Sequence, residues 1–382
     1  MIRADYLSFG KPNFSGEEIA AVTRVMRSGW VGMGPETIAF ERELTEYLGA
    51  PYVVTVNSCT SALFLSLLVH GIAQGDEVIC PSLTWCSTAN AALYLGAKPV
   101  FCDVDTNTFC VTPELIKEKL TSKTRAVMVV HMGGLAVEVD RIRAVLPEHV
   151  VIIEDAAHAL GAKFADGKPV GSSGNLTCFS FYANKNLSTA EGGAIALYDD
   201  KLAERLRFLR QHGLIADAWK RFSHPQCALV PGVIELGYKM NYTDLQACIG
   251  RIQLRRQAEF YAVRLNIAKR YCDGLRVINP SIKFQRNILS PDHARHLFQI
   301  LLPLEGMKIT RDELLLELRS RNVGAAIHYA PLHSMPLYAR EGQIRLPKTE
   351  TICERIMTLP ISASMSIEDA EYVLEQFEEL FN

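Results

Sequence analysis

The run Val151-Ile-Ile-Glu-Asp-Ala-Ala-His158 decides how this chain folds. Its β-branched residues 151–153 show no polar alternation and read as a strand buried on both faces, the habit of parallel sheets. Open α/β sheets place ligands beyond the carboxyl ends of their strands, so Asp155 stands where chemistry is expected. Downstream, Leu176-Thr-Cys-Phe-Ser-Phe-Tyr182 reads as a second buried strand. Lys185 follows it after a short turn, within Ser180-Phe-Tyr-Ala-Asn-Lys-Asn186 and ahead of Glu191-Gly-Gly193. That turn can carry its ammonium to the same crevice, where partial drying favours loss of the proton. Taken singly, a loop lysine means solubility and an aspartate after an apolar run means a strand end. The two together point to chemistry.

Outward from this pair, helices and strands alternate. Ser15 and Glu18 form a capping box before the stripe Ile19, Val22, Val25 and Met26, and Gly29 stops that helix. A second helix is predicted over 36–47, then strands at 52–56, 77–80, 99–103, 125–130 and 150–154 with helices between them. The fold class is therefore α/β, a mostly parallel central sheet covered on both faces. Periodicity lapses over 214–235, a length of loop that tends to be functional. Helical character returns from 244 to 271, followed by a strand at 297–302, a capped helix from Thr310, a strand at 325–328 and a last helix over 366–380. With 382 residues, a large domain over 1–250, its first residues an arm, and a smaller α/β domain over 251–382 are expected.

A formal net charge of −2 with no long basic run argues against nucleic acid or an acidic membrane as partner. Neither a signal peptide nor a membrane span is read, and a cytoplasmic protein is expected. The ten cysteines include no C-x-x-C pair and read as reduced, buried thiols, so neither zinc nor disulfides are expected.

A lysine amine opposite a buried carboxylate is what pyridoxal 5′-phosphate (PLP) requires: the amine holds the cofactor as a Schiff base and the carboxylate keeps its ring nitrogen protonated. Asn57-Ser-Cys-Thr-Ser61 stands at a helix start, where free N–H groups and hydroxyls suit a phosphate, although an ordinary cap by Ser58 or Thr60 explains the same residues. Ser180 is a second phosphate candidate, or else a hydroxyl bonded to backbone. Trp85 opens a helix above the crevice and can stack on a pyridine or pack in the core. His158 can reach a phenolic oxygen or be a satisfied structural histidine. In His328-Tyr-Ala-Pro-Leu-His333, one or more of His328, Tyr329 and His333 is expected to face substrate.

Over essentially its whole length the chain resembles the PLP-dependent sugar aminotransferases of the DegT/DnrJ/StrS family. The landmarks are Phe9-Gly-Lys-Pro12, Ser28-Gly-Trp30, Gly75-Asp-Glu-Val78, Gly96-Ala-Lys-Pro-Val100, Glu154-Asp-Ala-Ala-His158, Lys185-Asn186, Glu191-Gly-Gly193 and Tyr242-Thr-Asp244, in order. The resemblance implies fold type I and a homodimer with shared active sites. It makes Lys185 the Schiff-base lysine, Asp155 the partner of the ring nitrogen, Trp85 the stacking ring and His158 the contact near the ring oxygen. Cys59, Thr60 and Ser180 would hold the phosphate, joined by Asn241 from the neighbouring chain. Ala190 stands where many members have glycine, and Cys59 replaces another frequent glycine. Several runs, among them Ala183-Asn-Lys-Asn186 and Gly237-Tyr-Lys-Met-Asn241, look closest to enzymes that aminate a 4-keto sugar on a nucleotide. Glutamate is the implied donor. Lys220 and Arg221, in Trp219-Lys-Arg221, are candidates for the nucleotide's pyrophosphate. The alternatives are a 3-keto-sugar or inosose aminotransferase, a dehydratase, which would carry histidine in place of Lys185, and a non-catalytic PLP-binding regulator.

Overall fold

The computed structural model describes residues 2–215, 232–339 and 344–381. Its central sheet has seven strands: β1 (Tyr52–Val56), β2 (Glu77–Pro81), β3 (Lys98–Cys102), β4 (Thr124–Val130), β5 (Val151–Asp155), β6 (Leu176–Ser180) and β7 (Gly193–Leu197). The order across the sheet is β1-β7-β6-β5-β4-β2-β3. Strands β6, β5, β4, β2 and β3 pair in parallel, while β7 runs antiparallel to both β6 and β1. The sequence reading does not contain β7. Gly-Ala-Ile-Ala-Leu is a short apolar run with one β-branched residue, and such a run carries no period that separates strand from helix.

Because β7 is reversed, its first residue meets the carboxyl ends of its neighbours: Gly193 pairs with Val56 on one side and Ser180 on the other. A Cβ on Gly193 would come within 2.6 Å of the Ser58 carbonyl carbon and 2.7 Å of the Cys59 nitrogen, so only glycine lets this strand approach the helix that begins there. The turn leading into β7 explains the landmark at 190 as well. Ala190 adopts φ 67, the left-handed region glycine enters without penalty.

The expected helix near the amino terminus is present as Gly16–Ser28, with its capping box and Gly29 at φ 76. The long helix expected from 244 is two, Asp244–Arg255 and Gln257–Ile278, broken at Arg256, whose guanidinium bonds Asn13, Glu18 and Glu259. A second sheet has the order β10-β9-β8, from β8 (Lys283–Phe284), β9 (Phe298–Leu301) and β10 (Ile356–Leu359), all antiparallel. The segment 325–328 is not a strand of it. Ala326 makes a single bridge to Thr358, and β10 takes the place beside β9.

Apolar side chains fill both faces of the central sheet, Val54, Leu63, Met128 and Ile195 on one side and Val127, Val129 and Ile152 on the other. A separate core gathers Tyr271, Phe298, Leu318 and Phe377 with Leu7, which bridges to Val323. The amino-terminal arm is thereby stitched to the carboxyl-terminal part. No helix among the described residues is long and apolar enough to cross a membrane.

Candidate active site

A cavity of about 480 Å³ opens beyond the carboxyl ends of β1, β2, β5 and β6. Each strand delivers its part through the turn that follows it. After β1, Ser58 caps the helix Cys59–Val69, its Oγ accepting from the Ser61 N–H at 3.1 Å. Cys59 and Thr60 lie in the first turn, whose N–H groups have no intrahelical acceptor. After β2 come Thr84, Trp85 and Ser87, with Trp85 as the cap residue of the helix Cys86–Leu93. Trp85 is 60% exposed, and its ring lies 5.8 Å from that of Tyr329. Ser180 ends β6 in the same wall.

Asp155 ends β5 and is buried. One carboxylate oxygen accepts from Thr88 Oγ1 at 2.8 Å and the other from the Ala157 N–H at 3.2 Å. Burial pushes its pKa up, against the pull of these two bonds and of Lys185. Lys185 enters from the turn after β6, where its N–H bonds Tyr182 O at 2.9 Å. The next residue anchors the turn: Asn186 Nδ2 donates to Ala294 O at 2.8 Å, and Gln257 Nε2 donates to Asn186 O at 3.1 Å. Although Lys185 borders the open cavity, protein surrounds its amine. Burial brings its pKa down to about 8, while Cys59 and Asp155 act in the opposite direction. Among the described residues, Nζ bonds the Nε2 of His296, at 3.2 Å.

His158 is buried and shares a hydrogen bond with the Tyr329 hydroxyl at 3.2 Å. Burial, then Lys185 and His328, hold its pKa well below the usual histidine value. His328 is pinned through Nδ1 to Thr358 Oγ1 at 3.0 Å, faces Phe9 at 4.9 Å between ring centroids, and is pushed down to about 4 by burial and then by Lys185. Both imidazoles are therefore neutral near pH 7.

The cavity thus brings together Lys185, Asp155, Cys59, Thr60, Trp85, His158, Ser180, His328 and Tyr329. His333 does not line it. The 3₁₀ turn Leu332–Ser334 directs this ring inward, where Nδ1 meets Ser82 Oγ at 2.7 Å and Nε2 meets Glu350 at 3.4 Å. Asn241 also lies outside this chain's own cavity, its amide donating to Tyr242 O at 2.9 Å. Lys220 and Arg221 fall outside the described residues. The sequence reading missed Thr88 and His296. Thr88 was within reach, a hydroxyl one turn into the helix that Trp85 opens. His296 was not, because 111 residues separate it from Lys185 and no spacing links them.

The chain is similar to known proteins over nearly its whole length. The sequence model of the DegT/DnrJ/EryC1/StrS aminotransferase family matches residues 12–378. The chain is 38% identical over 382 residues to the spore coat polysaccharide biosynthesis protein SpsC of Bacillus subtilis, covering 98% of this chain and 96% of that protein. Among solved structures it is similar to the aminotransferase TlmJ of Streptoalloteichus hindustanus, at 34% identity and TM-score 0.88 over 98% of each chain. It is also similar to Spr1654 of Streptococcus pneumoniae, a protein named as a sugar aminotransferase and solved in a PLP form, at 29% identity and TM-score 0.89 over 98% of each chain.

Proposed function

The chain belongs to the DegT/DnrJ/EryC1/StrS aminotransferase family, and on that premise we propose that it moves an amino group from glutamate to C4 of a keto sugar carried on a nucleotide, giving an amino-deoxy sugar. It is a PLP-dependent transaminase of fold type I. The site's own chemistry fits that cofactor. A lysine of lowered pKa and a buried carboxylate share one cavity without forming an ion pair with each other, and a helix amino terminus closes one end. When bound, PLP supplies an aldehyde for the amine and an electron-poor ring that takes up electrons as a proton leaves carbon.

The chain's residues do the rest. Lys185 would hold the aldehyde and, once free, take the proton from the donor's α-carbon and return it elsewhere. Asp155, oriented by Thr88, would keep the ring nitrogen protonated. Cys59, Thr60 and Ser180 would receive the phosphate, Trp85 would cover a ring face and His158 would sit by the ring oxygen. Tyr329 and His328 would meet the sugar, with His333 acting on them indirectly by fixing their segment to Ser82. Lys220 and Arg221 would contact the pyrophosphate.

Apart from Lys185, no lysine or arginine lines this cavity among the described residues, although the proposed ligands carry phosphates and carboxylates. In a homodimer with shared sites, the second copy would bring Asn241. Exposed Ile19, Met26 and Ile38 on the first two helices, with Leu236 84% exposed, supply apolar surface for such pairing. The reading also includes a division near residue 250 and a place in the cytoplasm. A role as a non-catalytic PLP-binding regulator would leave the lowered pKa of Lys185 without use.

Lys185 and Asp155 in one cavity carry the proposal. Borohydride reduction of the PLP-loaded protein, followed by digestion, should label the Lys185 peptide, and a label elsewhere overturns the site. Protein carrying pyridoxamine phosphate should recover its visible absorbance on addition of nucleotide-linked 4-keto sugars. Recovery only with 3-keto sugars, or only with inososes, overturns the substrate.

A further inference from the structure

We propose that His296 is a positioning residue for Lys185: its neutral imidazole, with Nε2 3.2 Å from Nζ, is the berth that holds the lysine amine whenever that amine is free. The inference rests on Lys185 being the lysine that holds the cofactor. In the described part of the chain no carboxylate reaches ion-pair distance of Nζ, so the direction of the amine is set by this one acceptor.

The structure holds His296 there against local preference. Its side chain is buried, and Nδ1 has no hydrogen-bond partner among the described residues, a destabilising arrangement for a polar atom. The preceding residue, Arg295, takes φ 54, uncommon outside glycine. That turn is clamped on several sides. Arg295 donates to His293 O and Ser290 O, both at 2.8 Å, its N–H donates to His293 Nδ1 at 2.9 Å, and Arg264 donates to Arg295 O at 3.1 Å. The ring then lies against that of His158, centroids 4.5 Å apart. Strain and unpaired atoms that persist under so many restraints mark a functional position.

The chemistry of the pair is specific. An ammonium only donates, so beside a charged Lys185 the Nε2 of His296 must be bare and its proton must sit on the solitary Nδ1. Once Lys185 becomes a neutral amine, its lone pair accepts, and the other tautomer is allowed. The tautomer of His296 is thereby tied to the protonation of Lys185. The charged and titratable groups facing the two are Asp155 from β5, Cys59 from the helix Cys59–Val69, His158, His328, Tyr329, and Arg264 from the helix Gln257–Ile278. Burial, with Lys185, His158 and Arg264, keeps the pKa of His296 well below the histidine range, so the ring itself does not charge near neutral pH.

The test uses the full-length, cofactor-free protein with ¹⁵N-labelled histidine. The His296 nitrogen resonances should show an inflection near pH 8, the lysine's, and lose it in Lys185→Met. A flat profile, or an inflection that survives in Lys185→Met, overturns the inference. Adding PLP to cofactor-free variants gives a second readout. His296→Leu should slow the rise of visible absorbance roughly tenfold or more, whereas His296→Gln, which keeps a neutral acceptor, should stay near the parent rate. Equal rates in all three proteins, or equal loss in both variants, overturns it too. Borohydride labelling of a lysine other than Lys185 defeats the site reading, whereas normal labelling with a flat His296 profile defeats only this inference.

Discussion

Lys185 owes its reactivity to its surroundings. Removing water from the amine lowers its pKa to about 8, which leaves a usable fraction unprotonated near neutral pH. The same shift has a stability consequence with a definite sign. Between about 8 and the ordinary 10.5 the unfolded chain binds the extra proton and the folded chain does not, so stability of the cofactor-free protein should rise with pH across that window. The rise should amount to about 2–4 kcal/mol. Below the window the cost of the buried charge is fully present. Denaturant titrations of parent and Lys185→Met at several pH values measure it, and the variant should lack this slope. Asp155→Asn keeps the shape of the site and removes the charge. We expect turnover to fall about 10²-fold or more, read from steady-state rates at saturating PLP.

Helix starts and strand ends do the positioning. The helix Cys86–Leu93 carries Thr88 to Asp155 and begins at Trp85, so one element aims a ring and orients a carboxylate. Thr88→Val deletes the donor while conserving volume. It should cost about 1–3 kcal/mol in thermal or chemical unfolding and weaken PLP binding, with Thr88→Ser restoring most of both. At the other end of the cavity, Gly193→Ala drives a methyl into the backbone of Ser58 and Cys59. We expect a loss of about 1–3 kcal/mol together with weaker PLP retention, measured by dialysis. The same substitution at Gly16, where an added Cβ meets nothing within 4 Å, should leave PLP retention unchanged.

At the scale of the whole molecule, the carboxyl-terminal part closes the site over the sheet. His328 and Tyr329 reach the cavity because their segment is tied to Thr358, to Gln299 and, through His333, to Ser82 at the end of β2. The proposed second copy can be tested by complementation. A mixed dimer of Lys185→Ala and Asn241→Ala chains regains one intact site if Asn241 serves the neighbouring chain. It regains none if each chain's site is self-contained. PLP affinity and turnover of co-expressed, differently tagged chains distinguish the two.

Local periods and caps in the sequence determined much of this protein. The parallel strands, the capping box at Ser15, and the placing of Asp155 and Lys185 at strand ends follow from side-chain chemistry over a few neighbouring residues, and ordered landmarks over the chain carried the family. Tertiary structure alone decided the rest. Strand β7 is an apolar run with a single β-branched residue and no period of its own, and its reversed direction depends on the partners it meets. The segment 325–328 meets β10 only through the bridge of Ala326 to Thr358, one pair where a strand needs several. His333 turned to Ser82, and His296 came to Lys185, across long separations in the chain. Hydrogen bonds between distant residues leave no local pattern, because what selects them is the shape of the packed core and the need to satisfy polar groups inside it.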